Sequence, residues 1–227
     1  TWLTPWVGAR AEDQHEVDTE GLHRYSETRG WGPLVDALVD KARRENGIEC
    51  ETGEVLISAG ATAGLACALG ALLRPGDEVI ILAPFWPLIR GITQTFRAKP
   101  VEVPFFDRVD SAEGAVEAVR EHLSPKSVAL YVSTPSNPTG RVIPEDWLSA
   151  LAELAQRDNL WLLSDEVYED YVYAGRHVSL GRFAPERTLS AYSFSKAYGM
   201  AGNRTGYLVG PPEAIAQAEK IATYSFY

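Results

Sequence analysis

The feature that most restricts this chain is an alternation. Short apolar runs of strand type recur between stretches with helical spacing. Residues 54–58, 78–82, 100–103, 127–132, 160–164, 188–192 and 206–210 read as strands. Leu34, Val35, Leu38 and Ala42 repeat at helical spacing as far as Asn46-Gly47, where glycine stops the helix. Further helical stretches run to Leu73, stopped by Arg74-Pro75-Gly76-Asp77, to Phe96, and over 111–122. Another is opened by Pro144, with Glu145 and Asp146 suited to its N-terminal dipole, and a last one by Pro211-Pro212-Glu213. Strand, helix, strand in steady succession implies crossover connections. The expected fold is α/β, a doubly wound, mostly parallel sheet with helices on both faces. Residues 1–22 give no strand or helix reading.

In such sheets ligands sit beyond the carboxyl ends of the strands, and the polar oddities of this sequence fall there. The run Leu160-Trp161-Leu162-Leu163-Ser164 is apolar enough to be buried on both faces, yet it ends in Asp165. A carboxylate there is costly without a cationic partner. After the 188–192 strand comes Ser193-Phe194-Ser195-Lys196, then Arg204. A partly desolvated lysine at a strand end is a usable amine nucleophile, although most lysines are merely solvated. Ser193 and Arg204 offer a hydroxyl and a rigid fork of donors for a phosphate, and the two glycines between Lys196 and Arg204 let the backbone bend closely. An amine with a phosphate grip is what pyridoxal phosphate (PLP) requires.

Three other strand ends leave two readings open. Small residues in Ala59-Gly60-Ala61-Thr62-Ala63-Gly64 make either an anion site at a helix N-terminus or a tight turn for packing. Phe85 and Trp86 are either core filling or a flat face for a heteroaromatic ring. The loop from Ser133 to Gly140 is either punctuation or a rigid frame that aims the Asn137 amide.

Composition narrows the partners. A formal net charge of -10 argues against nucleic acid. No apolar run reaches membrane-spanning length, and the N-terminus shows no signal pattern. Cys50 and Cys67 lack metal spacing and read as buried thiols in a reducing compartment. The four histidines are scattered, so no zinc site is expected. A cytoplasmic location is the default expectation.

Taken jointly, these pieces resemble the class I/II, fold-type-I PLP-dependent aminotransferases. Carrying the resemblance are Tyr25, Gly60-Ala61-Thr62, Pro75-Gly76-Asp77-Glu78-Val79, Pro84-Phe85-Trp86, Asn137-Pro138-Thr139-Gly140, Asp165-Glu166-Val167-Tyr168, Ser193-Phe194-Ser195-Lys196 and Arg204-Thr205-Gly206-Tyr207. Each piece is weak alone; their order and spacing are specific.

The resemblance implies roles residue by residue. Lys196 would be the Schiff-base lysine and the base at the substrate Cα. Asp165 would keep the pyridine nitrogen protonated. Tyr168 and Asn137 would hydrogen-bond the cofactor's phenolic oxygen, and Trp86 would stack on its ring. Ala61, Thr62, Ser193 and Arg204 would bind the phosphate. Tyr25 would reach the phosphate of a neighbouring subunit, which implies a homodimer with a shared active site. The implied reaction is transfer of an amino group between an amino acid and a 2-oxo acid. A PLP-dependent lyase or cyclase and a non-catalytic aminotransferase-like ligand-binding domain are the alternatives on the same scaffold. The sequence departs from the family in having no recognisable N-terminal arm, in carrying Asn203 at a usually apolar position, and in ending before the small domain that holds the arginine for the substrate α-carboxylate. The expectation is therefore an N-terminal segment 1–24 of no readable structure, a PLP-binding large domain over 25–227, and a partial chain.

Overall fold

The computed structural model describes residues 25–226; the segment 1–24 lies outside them. Seven strands form one sheet: β1 (Val55–Ser58), β2 (Glu78–Ala83), β3 (Lys99–Pro104), β4 (Ser127–Ser133), β5 (Trp161–Asp165), β6 (Thr188–Ser193) and β7 (Gly206–Val209). Their order across the sheet is β1-β7-β6-β5-β4-β2-β3. The helices are α1 (Gly32–Lys41), α2 (Gly60–Leu72), α3 (Leu88–Thr95), α4 (Ala112–Arg120), α5 (Glu145–Arg157) and α6 (Pro212–Phe226). Each strand and helix expected from the sequence is present, with shifts of one to a few residues at the ends.

Local chemistry explains several boundaries. A π-helical turn, Ala42–Asn46, extends α1 until Gly47 turns left-handed at φ 66°. Ser111 caps α4 by accepting the Gly114 N–H at 3.0 Å. β3, which carries Pro100 and Pro104, lies at the sheet edge, where a missing N–H costs least.

Helices cover both faces, as expected. Ile81, Ala129, Leu163, Leu189 and Leu208 pack with α2, α3 and α6. Their sequence neighbours Ile80, Leu130 and Leu162 pack with α4 and α5, and Tyr192, Tyr207 and Val55 with α1. This alternation is the period-two signature of strands buried on both faces.

One strand runs against the rest. β7 is antiparallel to both β1 and β6, whereas the β2–β3, β2–β4, β4–β5 and β5–β6 pairs are parallel. The cause is the connection after β6, which contains no crossover helix and returns the chain beside the strand it left. The amino end of β7 therefore meets the carboxyl ends of β1 and β6, and Arg204-Thr205-Gly206 arrives where Lys196 departs. No described helix is long and apolar enough to cross a membrane.

Candidate active site

Nine of the ten residues singled out in the sequence line one cleft of about 190 Å³ at the carboxyl end of the sheet: Ala61, Thr62, Trp86, Asn137, Asp165, Tyr168, Ser193, Lys196 and Arg204. Leu65, Val167, Ser195 and Ala201 complete the lining. Tyr25 does not line it and is 90% exposed.

Asp165 is the last residue of β5 and is buried. The Tyr131 hydroxyl donates to its Oδ2 at 2.5 Å, and the Val167 N–H reaches Oδ1 at 3.4 Å. No lysine, arginine or histidine forms an ion pair with it among the described residues. Burial pushes its pKa up, and the Tyr131 hydrogen bond, the Val167 N–H and the Lys196 charge pull down, leaving it raised to about 6. The cost foreseen for a buried acid is thus real, and its partner among the described residues is a phenol rather than a cation.

Lys196 opens the connection after β6. Its expected desolvation is not observed: the side chain is exposed, with Nζ 5.3 Å from the centre of the Tyr168 ring. Ser193 Oγ accepts the Ser195 N–H at 3.0 Å, which leaves its own proton to donate.

The other end of the cleft gathers hydrogen-bond donors and a guanidinium. α2 starts with no side-chain cap on Ala59, so its first N–H groups point out of the helix unpaired by such a cap. Arg204 takes a left-handed backbone, φ 50° and ψ 49°, and donates to Ser195 Oγ and the Ala201 carbonyl; it pairs with no carboxylate among the described residues. Its guanidinium rests on Gly60, where a Cβ would lie 2.4 Å from Nη2. A Cβ on Gly206 would lie 2.6 Å from the Ala61 nitrogen. These are the close approaches that require glycine. Gly199 and Gly202, expected to serve that purpose, face open space, although Gly199 does supply a left-handed bend at φ 63°. The Asn137 loop is closed by backbone bonds from Ser136 N–H to the Arg141 carbonyl and from Gly140 N–H to the Ser136 carbonyl.

Two sets of residues were not foreseen. Tyr131, two residues before the end of β4, backs Asp165. Glu166, fully buried, accepts Ser164 and Ser179 hydroxyls at 2.7 and 2.8 Å and His177 Nε2 at 2.8 Å. The ligating atoms of Glu166, Glu169 and His177 lie within 4.8 Å of one another, with Glu169 already bound by Lys41 and Asn46. A wider depression of about 940 Å³, beside Phe85 and Phe106, holds no acid and lysine together, and its cations are engaged: Arg90 with Glu102, Arg141 with the Phe106 carbonyl.

The sequence matches a family model described as aminotransferase class I and II over residues 3–227. It is 39% identical over 209 residues to a probable aspartate/prephenate aminotransferase of Thermus aquaticus, covering 91% of this chain and 54% of that protein. It is 33% identical over 212 residues to an arginine–pyruvate transaminase of Pseudomonas aeruginosa, covering 91% of this chain and 53% of that protein. The fold superimposes on the aspartate aminotransferase of Thermus thermophilus with maleate at a TM-score of 0.83 and 38% identity, covering 89% of this chain and 53% of that one. The chain spans about half the length of the relatives it matches.

Proposed function

The chain belongs to the class I and II aminotransferases, and from that premise we propose that it holds the pyridoxal-phosphate machinery of an enzyme transferring an amino group between an amino acid and a 2-oxo acid. The observation that carries this is one cleft lined by a buried acid with no cationic ion-pair partner among the described residues and by an amine just past the end of the next strand. The donor set fits PLP. Asp165 suits a protonated pyridine nitrogen, and the uncapped start of α2 with Arg204, Thr62 and Ser193 suits a phosphate.

When bound, PLP supplies an electrophilic carbonyl and a ring that takes up the electron pair left at the substrate Cα. Asp165 would hold a proton on the ring nitrogen. Lys196 would hold the cofactor through its amine and would serve as the base for the proton at the substrate Cα. Asn137 and Tyr168 would hold the phenolic oxygen, Trp86 would stack on the ring, and Ala61 and Thr62 N–H groups would join Ser193 and Arg204 on the phosphate. We assign residues 25–227 to the large cofactor-binding domain, and Tyr25 to the cofactor phosphate of a second subunit in a homodimer. Relatives named for aspartate, prephenate and arginine–pyruvate transfer support transamination over elimination, and their spread sets the substrate only at the level of amino acid and 2-oxo acid.

The test is spectroscopic. An amino acid should bleach the absorbance of the PLP-loaded protein and a 2-oxo acid should restore it. Lys196→Ala should lower turnover by about 10²-fold or more. Turnover in this variant within about tenfold of wild type, or release of well over one equivalent of 2-oxo acid per bound PLP with no amino acceptor, would refute the assignment.

A further inference from the structure

We propose that Tyr131 is a positioning residue for Asp165, its phenol fixing which carboxylate oxygen faces the cleft and keeping that acid anionic. This rests on the PLP reading of the site.

The placement follows from register. Tyr131 pairs with Leu163 and Ser133 pairs with Asp165 between β4 and β5. Period two puts Tyr131 and Asp165 on one face, on the diagonal that a long aromatic side chain can span. Tyr131 is 1% exposed, in the apolar layer under α2. Phenylalanine would fill that layer as well. The added hydroxyl is costly to bury without a partner, and it has one in Asp165 Oδ2 at 2.5 Å. With Oδ2 taken from behind, Oδ1, touched only by the 3.4 Å contact from the Val167 N–H, is the oxygen left for a donor in the cleft.

The proton stays on the phenol. Tyr131 is pushed well above 10, by burial first and then by the Asp165 charge, so it remains a donor. Asp165 is raised by burial, and the Tyr131 bond leads the influences opposing this; Glu166 adds to the rise and Lys196 opposes it. Tyr168 acts on Tyr131 in the same direction as Asp165. Losing the phenol O–H therefore moves the acid toward its protonated form near neutral pH, where it no longer matches a protonated ring nitrogen.

The experiment compares wild type, Tyr131→Phe and Asp165→Asn in PLP titrations followed by absorbance between about pH 5.5 and 8.5. Carboxyl ¹³C shifts of Asp165, assigned by their loss in Asp165→Asn, give its midpoint without PLP. Tyr131→Phe should raise that midpoint by about one unit and weaken PLP binding about threefold near pH 6.5 and nearly tenfold near pH 5.5, with the deficit vanishing at alkaline pH. An unmoved midpoint, or a loss of affinity equal at every pH, overturns the inference while the PLP reading stands. A wild-type protein that binds no PLP overturns the PLP reading itself, and this inference with it.

Discussion

Glu166 offers the sharpest stability test, because a carboxylate at 0% exposure is held by a neutral pair of hydroxyls and one imidazole. Burial is the largest influence on it and acts upward, but the His177 hydrogen bond and charge with the Ser164 and Ser179 hydroxyls bring it below the usual carboxylate range. Burial likewise pushes His177 down, and the Glu166 bond and charge prevail and raise it. The signs define a window. A depressed acid contributes stability that is present above its unfolded value, about 4.3, and is lost as pH falls through its folded value. A raised histidine contributes stability that is present below its unfolded value, about 6.5, and is lost as pH rises through its folded value. The pair is therefore most stabilising between about pH 4.3 and 6.5. Glu166→Ala strands His177 and the Ser164 hydroxyl and leaves Ser179 only the Tyr192 hydroxyl at 3.1 Å, so the cost near pH 6 is about 3–5 kcal/mol. At about 2–4 °C per kcal/mol for a chain of this size, melting falls by roughly 10 °C. Glu166→Gln keeps an oxygen for the serines but not the charge opposite His177, and should cost less, about 1–3 kcal/mol, while flattening the pH dependence. Thermal unfolding by circular dichroism at several pH values reads both. A Glu166→Ala loss under about 1 kcal/mol, or an unchanged pH dependence in Glu166→Gln, would refute the reasoning.

Other outcomes follow from the close contacts and from burial. Gly60→Ala places a Cβ 2.4 Å from Arg204 Nη2 and on a left-handed backbone, φ 76°; the guanidinium can swing away but the backbone strain stays, so stability should fall by about 1–2 kcal/mol while PLP affinity drops about tenfold, read by titration. Gly206→Ala meets the Ala61 nitrogen, the Gly60 carbonyl carbon and the Tyr192 oxygen at 2.6–2.7 Å. These are backbone atoms that cannot yield, so a loss of about 3 kcal/mol or more is expected in the urea midpoint. Cys50 and Cys67 are buried and their thiols are pushed up to about 11 by burial; neither should react with a disulfide reagent at neutral pH until the protein is unfolded.

The readable parts of this protein are those written in consecutive residues. The apolar run into Asp165 announces a buried strand ending in an acid, and the alternation of periods announces the sheet. What stayed hidden depends on register and direction. Tyr131 looks like one more apolar position in the Ser127–Ser133 strand, and only the pairing of Ser133 with Asp165 turns it into a hydroxyl aimed at the acid. Glu166 and His177 meet across a loop that no local pattern joins. The reversed β7 carries the same residue pattern as a parallel strand would; only the lack of a helical stretch between Lys196 and Arg204 hints at its direction.

This division has a consequence for how the two ends of the cleft respond to change. The acid end is set by ladder hydrogen bonds between β4 and β5, so its geometry is as rigid as the sheet, and what remains adjustable there is the proton. The phosphate end is set by a left-handed Arg204 resting on Gly60, a side chain on irregular backbone that can move. Changes behind Asp165 should therefore appear as shifted pH profiles, and changes around Gly60 as altered affinity at every pH. Combining Tyr131→Phe with Gly60→Ala tests this directly. If the ends are independent, the double variant shows the sum of the two free-energy losses within about 0.5 kcal/mol, together with the pH shift of the first alone. A larger coupling would mean that the cleft responds as one unit.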